Sequence, residues 1–299
     1  MTIAETRLST FLTHTFIVLT FCIGSNTFAN QKVDSSQYLE YFQQGDYHSA
    51  LAGFQSLSDQ NPLATELKFY HGRSLFRDGQ LEAAQAVLED FVSLEPDHSN
   101  GFLVLGSVRI NRVNEVSIFK KVGLAKAGIA AWRTAAALDP SNVEARYGVV
   151  SFLFNAPSIV GGDPEQAVLE LENLRQLSPA YAQLVDAEIH FKAERFEAAE
   201  KVLDAASKQI SDRAFPTIIQ ASYFYQQGKY TQAIDKVADY RQRSKAWNDP
   251  GDAQVGLMAG NIFAAINDQN RARSEFSKAL SQNPPKHIRQ KIEDALKAL

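Results

Sequence analysis

Small and large apolar residues recur along this chain at a fixed interval. Tyr41, Gly45, Ala50, Phe54 and Leu57 precede Pro62; Leu75, Gly79, Ala84, Leu88 and Phe91 stand at the same offsets before Pro96, 34 residues later. The second copy adds Gly72. Within each copy the apolar positions fall on helical spacing, which predicts helices with one buried face. The glycine in the middle breaks each copy into two helices, and the proline stops the second of them. A period of 34 residues marks stacked helix–turn–helix units.

Seven such units are predicted. The first runs from about Gln31 to Glu66 and the second from Thr65 to His98, with R-D-G-Q-L-E-A-A as its turn. The third begins with Phe102, Leu105 and Gly106 and ends with Trp132, Ala135 and Pro140; its closing prolines lie 44 apart, so ten residues are inserted. The fourth, Val143 to Pro179, carries five extra residues. The fifth, with Phe196 and Ala199, and the sixth, with Gly228, Tyr230 and Ala233, have clear turns but lack the closing proline. The seventh restores it, with Gly260, Phe263, Ala272, Phe276, Ala279 and Pro284. Residues 287–299 then read as a capping helix: Ile288, Ile292, Ala295, Leu296 and Leu299 form its apolar side, and charged residues form the outer face that a terminal unit needs.

This pattern resembles the tetratricopeptide repeat (TPR) family, in which a bulky residue, Leu-Gly, an aromatic, a Gly-x-aromatic turn, Ala, a large apolar residue, Ala and Pro follow one another. The resemblance covers about 265 residues. It implies an all-α superhelical solenoid of about seven helix–turn–helix units with a C-terminal capping helix. It also implies a non-catalytic protein–protein interaction scaffold that holds a partner peptide or protein on its concave face. In the family the first helix of each unit lines that face. The corresponding positions are Phe69, Arg73, Phe76 and Arg77 in the second unit, and Ser107 and Asn111 in the third. Tyr147, Ser151 and Asn155 follow in the fourth, Glu188 and Lys192 in the fifth, and Ser222 and Gln226 in the sixth. Aromatic, arginine and amide groups of this kind suit an extended peptide. The Lys/Asn clamp for chaperone C-terminal carboxylates is not matched, because Ser35 and Leu39 stand at the equivalent first-unit positions.

Residues 1–29 fall outside the repeats. Arg7 lies in a polar start, Phe16 to Ile23 is apolar, and Thr27-Phe28-Ala29 offers a small-x-small cleavage site. That is the layout of a secretory signal peptide, cut after Ala29. Even from Phe11 the run to Ile23 is only 13 residues and contains His14, too short to span a bilayer. Cys22, the single cysteine, follows Phe21 rather than the small residue of a lipoprotein site and would leave with the leader. A chain without cysteine behind a plain leader suits a bacterial periplasm. The net charge of −4 argues against a nucleic-acid partner.

No catalytic constellation is present. The sequence lacks H-E-x-x-H and G-x-S-x-G. Its five mature histidines (His48, His71, His98, His190 and His287) include no pair at i, i+4, so no metal or other cofactor is expected. His190 falls in a core-facing aromatic slot of the fifth unit. An enzyme assembled across repeats is the remotest reading.

The two insertions are the local irregularity. From Ser117, extra turns are expected at the start of a helix, with Ile118, Val122, Ala125 and Ile129 on one side and Lys120, Lys121 and Lys126 on the other. In the fourth unit Asp163 is a good N-cap, Pro164 a favoured first residue, and Gln166 completes a capping box. Two readings stay open. In one, residues 156–162 merely cover the longer helix, with Ile159 and Val160 packing on it. In the other, Lys120, Lys121, Gly161 and Gly162 form a platform for an anion, or for a cell-envelope glycan or small ligand. G-G-D-P is not a phosphate loop, since no Lys-Ser/Thr follows.

Overall fold

The computed structural model describes residues 33–113, 115–243, 246, 249–282, 284 and 286–299, without the side chains of Ile118 and His287. The expected leader and its cleavage site lie outside these residues. Among them there are fifteen α-helices and no strand. Fourteen helices form seven consecutive pairs: α1 (Ser36–Gln44) with α2 (Tyr47–Gln60), α3 (Thr65–Arg77) with α4 (Leu81–Leu94), α5 (Ser99–Arg112) with α6 (Ile118–Leu138), and α7 (Val143–Asn155) with α8 (Pro164–Leu177). Then come α9 (Pro179–Lys192) with α10 (Phe196–Gln209), α11 (Phe215–Gln226) with α12 (Tyr230–Gln242), and α13 (Asp252–Ala265) with α14 (Gln269–Ser281). The last helix, α15 (Lys286–Lys297), packs on α13 and α14. The architecture is an all-α superhelical repeat.

One turn geometry makes most of the pairs. Gly45, Gly79 and Gly228 take positive φ between the two helices of their units, at 84°, 79° and 72°. Behind each, an amide reaches back over the helix end: Asp46 N–H to the Tyr41 carbonyl, Gln80 N–H to Leu75, Lys229 N–H to Phe224. This left-handed C-cap satisfies carbonyls that the helix end would otherwise orphan. Glu194 (φ 57°) and Asn267 (φ 60°) occupy the same place in the fifth and seventh units, with Arg195 N–H to His190 and Asp268 N–H to Phe263. The turn thus persists where the glycine does not.

Side chains cap the helix starts: Asp46 accepts from Ser49 N–H (3.1 Å), His98 from Gly101 (2.9 Å), Asn142 from Ala145 (3.0 Å) and Asp268 from Arg271 (3.0 Å). Asp163 accepts from Gln166 N–H at 3.0 Å and Pro164 opens α8, as expected. The reciprocal half of the capping box is not among the bonds found; the Gln166 side chain instead accepts from Arg133 on α6 (2.9 Å).

The core is divided into local clusters, as a stacked array requires. Leu75, Leu88 and Phe91 of the second unit share one with Val104 and Leu105 of the third. Val237 and Tyr240 of the sixth share another with Val255 and Ile262 of the seventh. The small residues expected at the helix–helix contacts, Ala50, Ala84, Ala199, Ala233 and Ala272, are all fully buried. The third unit is held by Trp132, whose Nε1–H donates to the Leu103 carbonyl (3.1 Å) and Ser107 Oγ (3.2 Å). A Cβ at Gly106 would stand 2.5 Å from that indole, so glycine is required there.

The ten-residue insertion lengthens α6 to 21 residues, starting behind Ser117. A 3-10 turn at Ser158–Val160 contacts α6, so the fourth-unit insertion does cover the longer helix. Ile159, however, is 74% exposed and is not one of the packing residues. A third lengthening lies between the sixth and seventh units. The second helices of the fifth, sixth and seventh units start at Phe196, Tyr230 and Gln269, steps of 34 and then 39. The five extra residues fall between the starts of α12 and α14, mostly in the connection before α13, and Pro250, 34 before Pro284, closes the sixth unit, correcting the expectation that this unit lacks its proline.

Candidate functional site

First helices line a cavity of about 540 Å³, contributed by α5, α7, α9 and α11. Its walls are mainly apolar: Leu103, Ile110, Trp132, Phe152, Phe215 and Ile219. Tyr147, Tyr181 and Phe215 form a triangle of rings with centroids 5.8 to 6.4 Å apart. Burial pushes the Tyr181 hydroxyl up to about 12, the neighbouring Arg213 opposing the rise, and burial raises Tyr147 as well. Both phenols are therefore neutral hydrogen-bonding groups at physiological pH.

Polar groups edge this space on two sides. On one, Asn155 Nδ2 donates to Glu188 (2.7 Å), Ser151 Oγ to the same carboxylate (3.4 Å), and Lys192 to the Asn155 carbonyl oxygen. On the other, Arg213 pairs with Glu144 and with Asp249 (3.2 Å). The Asp249 carboxylate is fully buried, and it also accepts from the amides of Ala246 (2.7 Å) and Ala214 (3.4 Å). A buried carboxylate is tolerable only with such a full set of partners. Tyr240 Oη donates to the next carbonyl, that of Pro250, at 2.5 Å.

The positions that the sequence assigns to the concave face separate into two sets. Tyr147, Ser107, Ser151 and Asn155 line the cavity, with Glu188 and Lys192 bonded at its polar edge. The second-unit positions have partners within the chain. Phe69 is buried against Phe91 and His98. The Arg73 guanidinium lies over the rings of Phe42 (4.9 Å), Phe69 (5.1 Å) and Tyr70 (5.4 Å), and burial draws it down to about 10. Arg77 sits over Tyr47 (4.7 Å) and donates to Tyr47 Oη (2.9 Å) and to the Asp249 carbonyl (2.6 Å). Phe76 and Asn111 line a smaller cavity of about 330 Å³ with Arg77 and residues 250–254. Asn111 donates back to the Ser107 carbonyl, and Gln226 to Ser222.

The insertion residues lie on α6 and in the segment whose 3-10 turn contacts it. Lys120 borders a charged cleft with Arg109 and Arg112, which pair with Glu89 (2.9 Å) and Glu82 (3.1 Å); Lys121 is half-buried on the same helix. Gly161 and Gly162 lie in the other insertion, where Gly161 packs by Phe152 and Lys126. Their amides donate to the Ser158 (3.0 Å) and Pro157 (3.1 Å) carbonyls, and a Cβ at Gly162 would collide with the Ala156 carbonyl oxygen. His190 is half-buried rather than in the core, because its Nδ1 accepts from Arg195 Nε (3.0 Å) at the helix end. Glu144, Arg213 and Asp249 escaped the sequence reading. The one available signal was the D-P-G run at 249–251 in an overlong connection.

Comparison with known proteins accords with this geometry. A family model described as a tetratricopeptide repeat-like domain matches residues 114–299, and a tetratricopeptide repeat model matches residues 38–98. The chain belongs to the tetratricopeptide repeat family, whose members generally mediate protein–protein interaction and are generally non-catalytic. Among solved structures, a TPR protein from Parabacteroides merdae superposes with a TM-score of 0.51 at 16% identity, over 87% of this chain and 95% of its own. A thermophilic TPR protein from Thermus thermophilus gives 0.53 at 16% identity, over 63% and 96%. These likenesses show the fold alone. No curated protein sequence matches the chain significantly.

Proposed function

We propose that this protein is a non-catalytic scaffold or adaptor of the bacterial cell envelope that takes a peptide or protein segment on its concave face, between α5 and α11. The observation that carries the reading is the cavity of about 540 Å³, with an aromatic and aliphatic floor and hydrogen-bonding groups at its edges. That is the composition of a site that buries an apolar side chain and orients its flanking main chain. The envelope setting rests on the leader-like residues 1–29 alone. The rival insertion site has less support, since the Gly161 and Gly162 amides already have carbonyl partners.

Selection from a displayed library of random linear 12-residue peptides tests the reading. Peptides with a bulky apolar anchor are expected, and Phe215→Ala should weaken them by tenfold or more, about 1.4 kcal/mol. Peptides bound equally well by that variant would place the site elsewhere.

A further inference from the structure

The concave face already holds part of its own chain. Ala246 and Asp249–Gly251, between α12 and α13, are fastened to the sixth unit through Arg213, the Ala214 amide and Tyr240. From there the segment reaches the first two units, where Arg77 grips the Asp249 carbonyl across 172 residues of sequence. Gly251 is extended (φ −73°, ψ 162°) and lies against the same pair: a Cβ there would be 3.6 Å from Arg77 and 3.7 Å from Tyr47. Main-chain carbonyls of this connection, held by an arginine and a tyrosine hydroxyl, are gripped as a groove grips a peptide. Asp249 and Pro250 also form one end of the 540 Å³ cavity.

We propose that Asp249–Gly251 is a built-in competitor: it occupies the part of the concave face served by Tyr47 and Arg77 and restricts a linear peptide partner to a short apolar core in the remaining cavity. The inference rests on the peptide-binding reading above. While the segment is seated, a partner's main chain cannot run from α11 toward α3, because Pro250 and Gly251 lie in its path. Releasing the segment extends the site without creating any new residue.

Asp249→Ala combined with Tyr240→Phe separates the possibilities, because it removes the carboxylate and the hydroxyl that fasten the segment to the sixth unit and leaves Arg77 and Tyr47 in place to hold a partner. Tyr240→Phe alone, which keeps the buried ring, and unchanged helicity by circular dichroism guard against misfolding. Amide hydrogen exchange over residues 249–254 should speed at least about tenfold in both variants. Peptides selected on the unaltered protein from the random 12-residue library should tolerate trimming to a core of no more than about five residues. Those selected on the double variant should need a longer core and bind at least tenfold more tightly than their trimmed forms. Faster exchange with the same short core in both proteins overturns the competitor role while leaving peptide binding intact. Unchanged exchange shows that these contacts do not hold the segment and overturns the proposal equally. Capture of no peptide by either protein overturns the peptide-binding reading and the proposal with it.

Discussion

Glu194 shows what a single position costs. Its φ of 57° places a side-chain-bearing residue where three other units use glycine. Left-handed backbone costs a non-glycine residue about 1–2 kcal/mol, and glycine gives back part of that through its freer unfolded chain. Glu194→Gly should therefore stabilise the protein by about 0.5–1 kcal/mol, read as a higher urea midpoint at unchanged slope. The turn at Gly79 was legible in the sequence because glycine advertises its conformation. Asn267 advertises it weakly, as the residue that best tolerates this conformation after glycine; Glu194 advertises nothing, and its left-handed state is imposed by the helices on either side. Arg73 and Arg77 make the same point for the site. Their spacing of one turn puts them on a common face, but no local pattern reports that rings enclose one and that a distant carbonyl reaches the other.

At the level of helices the repeat pattern was nearly sufficient, since close packing demands small residues at fixed offsets. Ala84, fully buried among Leu75, Leu88 and Phe91, tests the register. Ala84→Leu should overpack α3 against α4 and cost about 1–3 kcal/mol. The loss should reach the neighbouring units, so the thermal transition should broaden or split. An unchanged melting curve would contradict the packing. The lengthened elements were legible to different degrees. The longer α6 follows from Ser117 and the helical spacing behind it. The residues added before α13 did not show, because in the sequence the fifth and sixth units read as lacking a closing proline, which leaves no mark between Pro179 and Pro284 to place them. Whether Ile159 packs or projects depends on the height of the 3-10 turn above α6, which composition does not encode.

For the molecule as a whole, the fold was legible because stacked units repeat one local solution, and the candidate site was legible only in part. The cavity needs four first helices placed by the superhelix, and Asp249 arrives from outside all of them. The leader proposed for residues 1–29 makes a separate prediction about where the protein works. N-terminal sequencing of the protein from a periplasmic fraction should begin at Asn30; a cytosolic protein beginning at Met1 would remove both the cleavage and the envelope setting.

The Arg77–Asp249 bond has a consequence for how the array carries load. A stack of units coupled only to neighbours is an open chain of springs, in which tension on the ends passes through every unit in series. A fastening between the second unit and the connection before the seventh places the units between them in parallel with a shunt. Pulled from its ends, such a molecule should yield first at its outer helices, then lose the fastening in one step, and only then unravel through the middle. Arg77→Ala should erase that step and return the even yielding of an open spring.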